Sequence, residues 1–480
     1  MKNKSIESAI LTPEQKSCVN FNHGDLLIKG VAGSGKSYVI LKRALKIYKE
    51  KKENESVAIF TFTNSLVKYT HDLLSQKLGS DEIDVFNVDS YCMGVYYRVI
   101  GKKFFVGDPA TYTRLVKESL IEHKRIHKLE HRFYAMDTSF FEEEFRWIRE
   151  KCIKTKADYI SADRKGRGSQ VRLSASDKEI AWSIFSQYVT KARREKYNDW
   201  ADLYMILNDN LYRIPQDKKI DYVLIDEAQD LTVGMLKVLK ALTNKSLTIA
   251  ADVAQKIYKT SFTWKEVGIE ISGRSSKALL KSFRSTKQIV RLAEDLMDKN
   301  RSKALEEYTT AVLPEIEGEK PVLVRCNSLL EENTYLINLI KGYSYNDEVI
   351  GIVCRTHQDL KSVMNLLYRN NIQYQFIGKK MNDEARWSLL KPGIKVVTAH
   401  SSKGLEFERV IIPYLDDSVY PFKTFNIDEE QLEEYLETER NLLYVAMTRA
   451  RSTLTMLCLD LSSSRFIDEF NTDHYEMVKL

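Results

Sequence analysis

The chain has 480 residues, 43% of them apolar and 29% charged, enough for two to four buried cores at ~100–200 residues per domain. Its net charge of +6 is weakly basic, which permits an acidic partner such as a nucleic acid without requiring one. No apolar run approaches the ~20 residues of a membrane span, the N-terminus lacks the apolar core of a secretory signal, and the six cysteines form no CxxC pair. These features argue against a membrane protein, a disulfide scaffold and a clustered zinc site, and make a reducing cytoplasm the expected setting.

In chain order, Asp25 to Lys29 reads as a strand entering a glycine loop, Lys36 to Lys49 as the helix after it, and Val57 to Phe62 as a second buried strand. Short apolar strands alternating with helical patterns point to a parallel sheet covered on both faces. Residues 96 to 195 break that pattern: they are charged, aromatic and helical in period, as in FFEEEFRWIREKCIK. From Arg146 to Arg172 there are nine basic and three acidic residues, and ADRKGRGSQ reads as a basic loop at the tip of an inserted helical subdomain. Strands resume at DYVLIDEAQD and SLTIAADVAQ. A second α/β unit starts near residue 277, with strands in PVLVRC, VIGIVCR, IKVVTAH, RVIIPYL and TLTMLCL and a helix over Gln358 to Asn370. The expected fold is α/β: two parallel-sheet lobes with a helical subdomain inserted in the first. The divisions are 1–95 and 196–276 for the first lobe, 96–195 for the insert and 277–480 for the second lobe.

Gly30-Val-Ala-Gly-Ser-Gly-Lys36-Ser37 fits G-x-x-x-x-G-K-[ST]. Such a loop turns the amides of Gly30, Ala32, Gly33, Ser34 and Gly35 around a polyphosphate, brings the Lys36 cation to its terminal phosphates, and offers the Ser37 hydroxyl to Mg²⁺. Its place between a strand and a helix sets the helix N-terminus toward the anion. Val223-Leu-Ile-Asp226-Glu227 puts two carboxylates at the end of a second buried strand, Asp226 for Mg²⁺ and Glu227 to deprotonate an attacking water. Together the two motifs read as nucleoside triphosphate hydrolysis. Alone, the acid pair would be an ordinary strand end or helix cap.

The order of further segments resembles the superfamily 1 helicases of the UvrD/Rep/PcrA type. Leu11-Thr-Pro-Glu-Gln15 is similar to the Q motif and Thr61-Phe62-Thr63-Asn64 to motif Ia. Tyr197-Asn-Asp199-Trp-Ala-Asp202-Leu203 matches the segment before motif II, which is Asp226 to Asp230. Asp252-Val-Ala-Gln255-Lys-Ile-Tyr258 resembles motif III, Ser282-Phe283-Arg284-Ser285 motif IV, Thr398 to Phe407 motif V, and Tyr444 to Ala450 motif VI. The resemblance implies two RecA-like lobes and an ATP- and Mg²⁺-dependent motor moving 3′-to-5′ on single-stranded DNA. RNA stays open because a grip on backbone and base faces does not exclude it. It implies that Gln15 reads the adenine, Phe283 stacks on it, Tyr38 lies beside it, Glu406 holds the ribose and Gln255 senses the γ-phosphate. Arg284 and Arg449 then act as arginine fingers. It also implies a strand track over Phe62, Asn64, Tyr258, Thr398 and His400, with Trp264 or Phe262 as a further stacking ring. His400 has a second implied role, coupling that track to Gln255.

The chain departs from the family pattern at several points. Tyr38 stands where the family has arginine, Asp89 in Val88-Asp89-Ser90-Tyr91 where it has histidine, and Ser282-Phe283 where Asn-Tyr is common. Between Lys380 and the strand at Lys395 there is no room for the large helical insert of the bigger relatives, and no nuclease domain is expected after motif VI. A stripped motor of this kind leaves an alternative: a nucleic-acid-stimulated ATPase subunit working with a separate nuclease or other partner in DNA repair or antiviral defence.

Overall fold

The computed structural model describes residues 11–62, 66–67, 70–71, 74–75, 82–128, 130–162, 173–252, 264–269, 273–300, 312–344, 347–378, 391–422 and 429–480. Two parallel sheets organise them. The first has six strands: β1 (Leu26–Gly30), β2 (Val57–Thr61), β3 (Asp84–Asn87), β4 (Ile220–Ile225), β5 (Thr243–Ala251) and β6 (Ser276–Leu279), in the order β3-β2-β4-β5-β1-β6. The second has seven: β7 (Val322–Cys326), β8 (Val349–Cys354), β9 (Tyr374–Ile377), β10 (Gly393–Thr398), β11 (Phe407–Ile412), β12 (Ala450–Leu459) and β13 (Glu476–Lys479), in the order β13-β7-β12-β11-β8-β10-β9. β6 completes the first sheet across residue 277, where the sequence pattern starts the second unit.

Cα proximity divides the chain into two compact units. One contains Val39–Ala250. The other contains Ala278–Leu480 together with Ile28–Tyr38, the stretch that carries the phosphate loop.

In the first unit β2 and β4 are apolar because other strands flank them and both faces are covered; every residue of β2 is buried, and so are Val223, Leu224 and Ile225 of β4. Between β3 and β4 lies the helical segment. Its helices Pro109–His127, Thr138–Glu150, Lys156–Ser161 and Ala175–Glu195 start at Asp108, Asp137, Thr155 and Ser174, whose side chains accept first-turn amides. They enclose their own aromatic core of Phe133, Phe141, Phe145, Tyr159, Phe185 and Tyr188. Inside it Arg149 is 1% exposed. One guanidinium nitrogen meets Asp199 at 2.8 Å and Asp202 at 3.1 Å, and the group lies over the rings of Tyr112 and Tyr188 at 5.2 and 5.3 Å. Asp199 also caps the helix Trp200–Asp209. The segment resembling the stretch before motif II therefore ties the helical segment to that helix. The basic loop with Arg164, Lys165 and Arg167 lies outside the described residues.

In the second unit helices cover both faces of the sheet. Lys287–Met297 and Glu429–Met447 pack on one face and Leu329–Gly342 and His357–Arg369 on the other. Glu332, on the helix Leu329–Gly342, is fully buried. Its Oε1 accepts the Tyr414 amide at 2.7 Å, and its Oε2 meets no donor among the described residues. Burial pushes this carboxyl up to about 7. Only 15 residues, 378–392, separate β9 from β10, and the two strands are parallel neighbours.

Candidate functional site

The phosphate loop leaves β1 and enters the helix Lys36–Glu50. Gly33 has φ +72°, and a Cβ there would lie 2.6 Å from Ser282 Oγ and 2.7 Å from Arg284 Cβ, so only glycine fits. The Phe283 amide donates to the Gly33 carbonyl at 2.9 Å. The loop and the Ser282–Ser285 segment therefore pack directly together inside one unit. Lys36, 6% exposed, donates to the carbonyls of Gly30 at 2.8 Å and Val31 at 2.9 Å and to Asp252 Oδ2 at 3.1 Å. Each of the ammonium's three donors thus has an acceptor. Ala32 and Ser34 are buried, Gly35 takes φ +83°, Tyr38 is half-buried, and Ser37 is exposed in the first turn of the helix, where the backbone amides lack helical partners.

At the end of β4 the Asp226 amide donates to the Phe60 carbonyl at 3.1 Å, carrying the β2–β4 ladder one residue past the strand. Glu227 then turns into the left-handed region at φ 56°, ψ 41°. A non-glycine residue held there costs about 1–3 kcal/mol and is enriched at functional sites. Its amide is received by Asp226 Oδ1 at 3.0 Å, and Gln229 Nε2 donates to its Oε2 at 2.5 Å. Both carboxylates are buried, and both are fixed by motif II itself.

Arg284 Nη2 pairs with Glu406 Oε1 at 2.6 Å. Burial opposes the charge on Glu406, but Arg284, Arg451 and Arg449 outweigh it and hold the carboxyl below its usual range. The family resemblance implies separate roles for these two residues, a phosphate finger and a ribose ligand; in the structure they are partners. Arg449 is buried and donates to the carbonyls of Val445 at 2.9 Å and Leu405 at 3.3 Å. Phe283 is 42% exposed, so it is not a core residue, and Lys281 lies 5.8 Å from its ring centre. Gln15 is buried in a reciprocal cap: its Oε1 accepts the Thr12 amide at 3.1 Å and its own amide reaches Thr12 Oγ1 at 3.2 Å.

Of the expected strand track, Phe62 and Trp264 are half-buried, and Thr398 is buried with its hydroxyl 3.0 Å from Ser401 Oγ. His400 reaches the surface; the protein around its ring, with Arg355 and His357, pushes its pKa down and leaves it neutral at pH 7. Asn64, Gln255, Tyr258 and Phe262 lie outside the described residues. Asp89, in the position of the family histidine, is taken up by Tyr204, whose hydroxyl donates to it at 2.5 Å. Asp252 is the residue the sequence reading left without a role. Its signal was present, an acid closing the apolar run SLTIAAD as Asp226 closes VLID, but its contact with Lys36 spans 216 positions.

A phosphate loop after one strand of a parallel sheet and an acid pair after another define the class of P-loop nucleoside triphosphatases. The chain belongs to the UvrD/Rep family of superfamily 1 helicases: residues 11–266 match the UvrD/REP helicase N-terminal domain, and residues 278–382 and 379–460 the UvrD-like helicase C-terminal domain. The two C-terminal matches meet between β9 and β10, where the sequence leaves no room for a large insert. The chain is 24% identical over 432 residues to the ATP-dependent DNA helicase PcrA of Staphylococcus aureus, covering 84% of this chain and 55% of that one. The PcrA of Staphylococcus epidermidis is 23% identical over 434 residues, with the same coverage. This chain thus spans about half the length of those relatives. A probable DNA helicase of Mycoplasma pneumoniae is 24% identical over 514 residues, covering 98% of this chain and 88% of that one. Among the described residues no helix is long and apolar enough to cross a membrane.

Proposed function

We propose that this chain is an ATP-driven translocase or helicase on single-stranded DNA, moving 3′-to-5′. The observation that carries the reading is the packing of Gly33 against Ser282–Arg284, which sets an arginine beside the phosphate loop where nothing larger than glycine fits. Lys36 exchanges its loop carbonyls for phosphate oxygens, the first amides of its helix receive the anion, and Phe283 offers an open ring to the adenine. Ser37 and Asp226 supply oxygen donors of the kind Mg²⁺ takes, and the ion, when bound, neutralises phosphate charge. Glu227 accepts the proton of the attacking water, its carboxylate aimed by the Gln229 amide. Arg284 and Arg449 neutralise charge on the transferring group, Arg284 by leaving Glu406. Alternation of ATP binding and hydrolysis then alternates the grip of the two lobes, divided near residue 277, on a strand carried past Phe62, Asn64, Tyr258, Trp264, Thr398 and His400.

The short connection between β9 and β10 favours a second reading, a DNA-stimulated ATPase that unwinds little alone and serves a partner enzyme in DNA repair. The test is ATPase activity with and without single-stranded DNA, RNA and duplex, with Lys36→Ala as the control, beside unwinding of a tailed duplex. Stimulation by single strands with unwinding supports the motor. Stimulation without unwinding supports the subunit, and no response to any nucleic acid sinks both.

A further inference from the structure

The first unit displays a second surface with the chemistry of a single-strand grip. The helix Val88–Ile100 begins directly after β3 and ends at Gly101, in the left-handed conformation at φ 78°, from which the chain runs on as Lys102-Lys103-Phe104-Phe105-Val106-Gly107. Phe104 is buried against Tyr96, with ring centres 5.0 Å apart, and anchors the loop. Phe105 points outward, 73% exposed, and Tyr97, in the last turn of the helix, is 53% exposed. Residues 97–107 carry three cations and no acid. Arg98 pairs with Asp217 at 3.1 Å, and Tyr212, five residues earlier in the chain than Asp217, is 85% exposed.

This surface lies away from the acid pair. The helix runs back from the strand end where β3 stops, and Asp217 precedes the start of β4. At about 3.3 Å per residue, the six residues of β4 separate this edge from Asp226 by roughly 20 Å. Exposed aromatic rings flanking a pair of lysines match single-stranded nucleic acid, whose bases stack and whose phosphates seek cations. Protein interfaces instead deplete lysine.

We propose that Tyr97, Lys102, Lys103 and Phe105 form a second contact for single-stranded DNA, at the edge of the first sheet opposite the acid pair. The assignment of DNA rests on the helicase reading above. Stacking on one ring is worth about five- to a hundredfold in affinity, and two lysines flatten the salt dependence by a slope of roughly 1.4.

The test is fluorescence anisotropy on the full chain with a short oligo-dT of about ten nucleotides, the size of one site, and one several sites long. Phe105→Ala should weaken the long oligo about five- to a hundredfold and leave the short one and the melting temperature unchanged. Lys102→Ala with Lys103→Ala should flatten the salt slope for the long oligo alone. Photocrosslinking of 4-thio-dT in the long oligo should label the Tyr97–Gly107 peptide. If the parent binds the long oligo and Phe105→Ala binds it equally well, the proposal is overturned. A Phe105→Ala loss as large on blunt duplex as on single strands overturns the stacking assignment. A parent that binds no single strand, with no DNA-stimulated ATPase, would instead bring down the helicase reading itself.

Discussion

Two cations lie almost fully buried in different units of this chain, Lys36 in the phosphate loop and Arg149 in the helical segment. Lys36 is held by two peptide carbonyls of its own loop and by one carboxylate, Asp252. Arg149 meets two carboxylates and the Phe145 carbonyl, and lies over two aromatic rings. The carbonyls around Lys36 are neutral, and a phosphate oxygen replaces them at a gain in charge pairing. Nothing mobile replaces Asp199 or Asp202, since the two form the capping box that starts the helix Trp200–Asp209. A buried cation with exchangeable partners is suited to a ligand; one held by carboxylates of its own fold fixes that fold, because removing a partner strands its charge.

The comparison can be broken most sharply at Arg284, whose carboxylate partner among the described residues is Glu406 and which borders the phosphate loop. Arg284→Ala is expected to lower DNA-stimulated turnover by as much as ~10³–10⁵ while nucleotide affinity falls far less. Steady-state hydrolysis at saturating DNA, with nucleotide binding measured separately, reads this, and parental turnover would remove Arg284 from the chemistry. Arg449→Ala should act in the same direction, with some loss of stability because its guanidinium also binds two backbone carbonyls.

Next in size is Glu227→Gln, expected to bind ATP normally and to lose ~10²–10⁴ in rate. Rapid-quench hydrolysis checks it, and a mutant that turns over at the parental rate has some other base.

Arg149→Met carries the other half of the comparison. It should cost up to about 3–5 kcal/mol because the part-buried Asp199 and Asp202 lose their shared cation, whereas Lys36→Ala, which unpairs only Asp252, should abolish hydrolysis at a smaller cost in stability. Urea denaturation of both variants beside ATPase assays tests the contrast. Equal destabilisation would mean that burial alone, not the kind of partner, divides the two cations.

The smallest effect belongs to Glu332, a buried carboxyl with one oxygen that meets no donor among the described residues. Its folded pKa is raised to about 7 from 4.5, so the folded state holds more protons between those values and stability falls as pH rises through that window. Glu332→Gln keeps the Tyr414 bond and removes the charge. It should stabilise the chain at pH 8 by on the order of 2–3 kcal/mol and have little effect below pH 4.5. Denaturation midpoints of both proteins across that range should diverge upward with pH; parallel curves would contradict the assignment.

What the sequence announced follows a physical line. Every strand visible as an apolar run, from β1 to β12, is an interior strand of its sheet. β3, β6, β9 and β13 were missed, and all four are sheet edges. An edge strand is covered on fewer sides, so DVFN, SKAL, YQFI and EMVK carry no continuous apolar signature. At the candidate site the motifs named Lys36, Asp226 and Glu227 because local chain geometry sets them. The pairs Lys36–Asp252 and Arg284–Glu406 span 216 and 122 positions and depend on how the chain closes on itself, which spacing does not report.

The neighbouring positions of β9 and β10 make the second sheet a socket. Because the two strands pair directly, the ends of their connection stay fixed whatever lies between them, and lengthening it costs only about 0.6 kcal/mol per doubling. A whole domain can therefore be plugged in or left out at this point without changing one strand pairing of the sheet. The long and short members of the family can on this account share one engine and differ in what is mounted on it.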